Sequence, residues 1–96
     1  MAQDPGFGYK VVATVIEAEG HCNAGHKLGD AFEICCHNPA GLCGFFYHDI
    51  FPTLETFQFG GNLPWWSGDV INVQCPDPKN RVILKMERSP RGQAAK

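Results

Sequence analysis

Ninety-six residues, 44% hydrophobic and 19% charged, make one small folded domain and exclude both a second core and a disordered chain. A formal charge of −2 offers no basic surface for nucleic acid or an anionic membrane as partner. No apolar run approaches the roughly 20 residues of a spanning helix, and MAQDPGFG lacks the basic and apolar regions of a signal peptide, so a cytoplasmic protein is expected.

Residues 1–8 carry Gly and Pro and read as a flexible tail. Tyr9 to Glu19, YKVVATVIEAE, is rich in β-branched residues with apolar side chains in both alternation registers, which suits a central strand or one covered on both faces. Gly20 to Asp30, GHCNAGHKLGD, has three glycines and an asparagine and reads as a tight loop. Ala31 to Cys36 alternates with Phe32, Ile34 and Cys36 on one side, which places Cys36 in the core and Cys35 partly exposed. Asn38-Pro39 is a plausible helix start, and Phe45, Phe46 and Ile50 share a helical face. Pro52 predicts a break and the opening of a second short helix, which Gly60-Gly61 ends. Val70 to Cys75 and Arg81 to Arg88 read as strands joined by the turn PDPKN, and residues 89–96 as a second tail.

The order gives a single α+β domain over residues 9–88, a small β-β-α-β-β unit with a mostly antiparallel sheet and one helical layer. One helical layer leaves one sheet face open. Phe7, Tyr9, Phe51, Phe59, Trp65 and Trp66 could cover it by self-association, so a homo-oligomer is expected.

Five cysteines, an odd number without a secretory signal, point to thiolate ligation, catalysis or plain burial rather than to disulfides. Cys22 lies in the glycine-rich loop, Cys43 at the predicted helix start, and Cys75 at a strand end before Pro-Asp-Pro. All three stand at element ends, where side chains from separate segments can converge. A helix N-terminus favours a thiolate at Cys43, and glycines beside Cys22 allow close backbone approach to a ligand. No C-x-x-C occurs, so the usual zinc-ribbon and ferredoxin spacings are absent. Three dispersed cysteines also read as small buried hydrophobes. A nucleophilic pair of Cys43 with His26 or His48 is a further reading, one that leaves Cys22 and Cys75 without a role.

GHCNAGHKLGD, GLCGFFYHDIFP, FGGNLPW and CPDPKN together resemble a small family of bacterial and archaeal cysteine-motif proteins with no secure activity. The resemblance runs from Tyr9 to Arg88. The family's pattern cysteines fall on Cys22, Cys43 and Cys75, and its histidines on His21, His26 and His48; Cys35, Cys36 and His37 lie outside the pattern. The resemblance implies that the three cysteines with His26 and His48 form one metal or iron–sulfur unit. Three thiolates without a fourth protein ligand suit a [4Fe–4S] cluster with one iron open, a Lewis acid for a hydratase or dehydratase acting on a small-molecule substrate. Three thiolates with His26 would instead close a zinc site. His48, five residues after Cys43 and about 140° round an ideal helix, suits acid–base work better than ligation, and His26 could share it, with Asp49 or Asp77 as further proton carriers. His21 reads as a loop hydrogen-bonder and His37 as exposed. A non-catalytic cluster carrier or electron-transfer module is the alternative function.

Overall fold

The computed structural model describes residues 2–20, 22–66 and 68–91. Its elements are β1 (Lys10–Glu17), β2 (Ala31–Ile34), α1 (Gly44–Gln58), β3 (Val70–Gln74) and β4 (Ile83–Ser89). The four strands form one antiparallel sheet in the order β2-β1-β4-β3, an α+β arrangement with β1 in a central position.

Alternation decides the faces. Val11, Ala13 and Val15 of β1, Leu84 and Met86 of β4, Ile71 of β3 and Ile34 of β2 point to one side and are buried. Phe46, Ile50, Leu54 and Phe57 of α1 close over them as one core. The opposite face pairs Val12 with Glu33 and Glu87, and Lys85 with Thr14 and Asn72. That polar register is what an antiparallel sheet carries on a solvated side. The aromatic rings gather elsewhere: Trp66 packs edge-on against Phe57, Phe51 against Tyr47, and Phe7 against His37.

Three local expectations are corrected. First, the helix starts at Gly44 with Cys43 as N-cap, not at Asn38-Pro39. Asn38 uses its hydrogen-bonding groups locally instead. Its Oδ1 accepts from the Ala40 N–H at 2.8 Å, and its backbone exchanges bonds with Cys35 at 3.0 and 3.1 Å. That turn ends the β2 alternation, so Cys35 is the buried cysteine and Cys36 the half-buried one, the reverse of the strand reading.

Second, α1 runs unbroken through Pro52. Proline inside a helix costs about 3 kcal/mol, whereas each fully buried Phe, Leu or Ile contributes about 1.5–3 kcal/mol. Anchors on both sides of Pro52, Phe46 and Ile50 before it and Leu54 and Phe57 after it, outweigh the lost bond. These anchors also set the helical face, and it turns Phe45 outward, 81% exposed.

Third, parts of the expected tails are tied down. The buried Gln58 donates from Nε2 to the Phe7 carbonyl at 2.9 Å and accepts from the Cys36 N–H at 2.8 Å. Arg91 pairs with Asp4 at 3.2 Å and donates to the Gly8 and Tyr9 carbonyls. Residues 1 and 92–96 lie outside the described residues.

Among the described residues, Arg88 is the buried charged one. It donates to the Phe57, Gly61 and Gly68 carbonyls, to Asn62 Oδ1 and to Asp69 Oδ1, all between 2.8 and 3.1 Å. Its guanidinium also stacks over the Phe57 ring, 4.6 Å from the centroid. One side chain on β4 thereby holds the end of α1 and the segment leading to β3.

Candidate functional site

Cys75 directly follows β3. Its N–H donates to the Val82 carbonyl at 2.8 Å and prolongs the hairpin, and the Asp77 N–H approaches its Sγ at 3.5 Å. Asp77 shapes the turn. Its carboxylate accepts from the Lys79 N–H at 2.8 Å and from Asn80 Nδ2 at 2.9 Å, and these bonds hold it below the usual carboxylate range. Asp77 is thus engaged in holding the turn.

The same turn positions Cys22. The Asn80 carbonyl accepts from the Glu19 N–H at 2.9 Å, and Gly20, with φ +66°, lies so close that a Cβ would stand 2.5 Å from Asn80 Oδ1. Gly20 thus needs both the left-handed backbone and the missing side chain. We expect Gly20→Ala to cost about 1–2 kcal/mol and to lift the Cys22 loop off the turn. A thermal midpoint unchanged by the substitution would count against this coupling.

Cys43 caps α1 with its backbone while its side chain makes no cap hydrogen bond, and no acidic residue occupies the first turn. The positive end of the helix is left to the thiol. The Cys43 N–H donates to His26 Nε2 at 2.9 Å, and the His26 ring packs on Phe32, 4.8 Å between centroids. His26 therefore ties the Cys22 loop to the start of α1, with Nε2 acting as the acceptor of a neutral imidazole.

These ties bring Cys22, Cys43 and Cys75 onto one open cavity of about 320 Å³, completed by Asn23, Ala24, Phe45, Pro76 and Asp77. All three are half-buried free thiols. Burial chiefly pushes the Cys75 thiol up, the Asp77 N–H opposes it, and negative charge on Cys43, Asp77 and Cys22 adds to the rise. Three thiolates here repel one another unless positive charge sits among them. No group of three or more His, Cys, Asp or Glu side chains among the described residues is arranged to hold a metal ion.

None of the described histidines lines this cavity. His26 lines a separate depression of about 260 Å³ behind Cys22, beside Lys27. His48 is exposed on a shallow surface with Gly44 and Phe45, and Phe45 also lines the thiol cavity. His37 is exposed, as expected, and Asp49 lies away from the thiols on the helix surface. His21 falls outside the described residues. Asn80 and Gln58 were not legible as important. Asn80 read only as part of a turn, and Gln58 carried no signal.

Cys35 and Cys36 form a different environment. The Tyr47 hydroxyl donates to the Cys35 carbonyl at 2.7 Å. Burial, then the Glu55 and Cys35 charges, pushes the Cys36 thiol from 9.0 up to about 11. Burial, then the two cysteines, pushes Tyr47 from 10.0 up to about 12. Both folded values lie above the unfolded ones. The stability linked to them is therefore complete below pH 9 and is lost as pH rises through about 11 to 12. Denaturant midpoints should fall across that window, and Cys36→Ala should shallow the fall.

Among the described residues no helix is long and apolar enough to cross a membrane. Compared with family models, with curated proteins and with solved structures, the chain matches none of them.

Proposed function

We propose that this chain is an iron–sulfur protein in which Cys22, Cys43 and Cys75 hold a [4Fe–4S] cluster from three sides, one iron being left open. The observation that carries the reading is that three free thiols from three separate segments line one open cavity, with no fourth cysteine on it. The donor set fits: thiolates are the cluster's usual ligands, Cys43 stands at the N-cap of α1 with no acidic residue in the first turn, and the Asp77 N–H offers a hydrogen bond to Cys75. When bound, such a group supplies redox chemistry and, at an open iron, a Lewis acid.

The zinc alternative draws less support, because His26 Nε2 already accepts the Cys43 N–H.

Between the two uses of a cluster, the geometry favours a carrier or electron-transfer module over a hydratase or dehydratase. Among the described residues, Asp77 is the one carboxylate on the cavity and is committed to its turn, while His26 and His48 line other surfaces. Elimination of water needs a base and an acid within hydrogen-bond reach of the substrate.

Anaerobic purification or reconstitution with iron and sulfide tests the first claim. Brown protein with roughly four irons and four sulfides per chain is expected. Colourless, metal-free yet folded protein, or one zinc per chain, overturns it. Adding a small thiol to the reduced protein should then shift the EPR spectrum if one iron is open. Water elimination from small hydroxy acids, lost in His48→Ala, would restore the lyase reading.

A further inference from the structure

We infer that β3 is a dimerisation edge, pairing antiparallel with β3 of a second copy of this chain about an axis through Asn72. Among the described residues β3 is the outermost strand on its side of the sheet, and no other strand pairs with its outer flank. Proteins usually blunt such edges with charge, proline, brevity or a bulge. The opposite edge, β2, is blunted in this way: it has four residues, carries the exposed Glu33, and ends in the Cys35–Asn38 turn. β3 has none of these devices. Val70–Gln74, VINVQ, holds no charged residue and no Pro or Gly, and Val70 is 51% exposed. Beside it a groove of about 270 Å³ runs between the strand and α1, flanked by Trp65, itself 76% exposed.

The strand's sequence names the partner. A twofold through Asn72 sets Ile71 opposite Val73 on the core side, and Val70 opposite Gln74 on the solvated side. Apolar residues then meet apolar ones on the buried face, and no like charges oppose each other. The nearest charges on that face, Lys85 and Glu87, neutralise each other at 3.8 Å and sit one strand farther in. Lys85 and its partner's copy would be about 14 Å apart, beyond the Debye length of about 8 Å. A five-residue strand pair with one exposed tryptophan from each copy buries less than the ~1,200 Å² of a standard stable interface. The dimer is accordingly weak and concentration-dependent.

Asn72 is the one residue that meets itself, which gives a test specific to this pairing. Sedimentation equilibrium of the wild-type chain, from about 10 to about 500 µM, should show a monomer–dimer equilibrium. Asn72→Lys and Asn72→Asp, both at an exposed position, should each dissociate about tenfold more readily, and their equimolar mixture should regain dimer as a heterodimer. Circular dichroism shows that each variant remains folded. A wild-type chain monomeric at the highest concentration overturns the inference. So does a dimer indifferent to both substitutions, which would place the contact on another surface, or a mixture no stronger than either variant.

Discussion

Alanine at Cys22, Cys43 or Cys75 will each abolish retention of iron and sulfide, while Cys36→Ala will leave the content of the wild-type protein. The contrast follows from position. The first three line one cavity, whereas Cys36 lies beside Glu55 and Cys35, its thiol held protonated up to about pH 11. The same variants separate ligation from packing. Cys22, Cys43 and Cys75 are half-buried, so their loss from the metal-free protein should cost no more than about 1 kcal/mol. If they were small core hydrophobes, the pattern would invert, with stability falling and no metal lost. Iron and sulfide analysis beside thermal denaturation of the apo-proteins reads both quantities. Equal iron in all four variants would end the cluster proposal.

The second large effect is at Arg88. Arg88→Ala should destabilise the fold by about 3 kcal/mol, because it leaves the Gly61 and Gly68 carbonyls without their donor, the Phe57 carbonyl with the Gly60 N–H alone, and removes the guanidinium from the Phe57 ring. For a domain of this size that corresponds to a fall of roughly 15 °C in Tm. Asp69→Asn should cost less than about 1 kcal/mol, since the Asp69 side chain is 67% exposed and its ion pair is screened. Arg88→Lys should fall between the two, keeping the charge but losing the planar fork. Equal losses for Arg88→Ala and Asp69→Asn would show that the ion pair, rather than the carbonyl bonds, carries the stabilisation.

The four strands were readable because their signals are local: a β-branched stretch or a period-2 alternation needs no distant residue to declare itself. Their ends were less so. Cys36 fell in register with Phe32 and Ile34, yet Asn38 turned the chain through local bonds and exchanged the places of Cys35 and Cys36. Pro52 misled for the opposite reason. Its intrinsic penalty is real, but the burial of Ile50 and Leu54 on either side exceeds it. Arg88 gave no signal at all, since nothing in a strand's sequence reveals that carbonyls from residues 57, 61 and 68 will surround one side chain.

For the site, the residues themselves displayed three cysteines at element ends and a helix start that favours a thiolate. Chemistry of that kind belongs to residue type and local backbone, both of which a sequence carries. What brought the three onto one cavity is long-range: the Gly20 approach to Asn80, and the hydrogen bond from Cys43 to His26 across 17 positions. The same contacts turned His26 into an acceptor for the Cys43 N–H, and the rotation of α1 set His48 on a surface other than the thiol cavity. Which groups could act together was therefore decided by packing, because the rotation of a helix and the docking of a loop depend on what the rest of the chain buries.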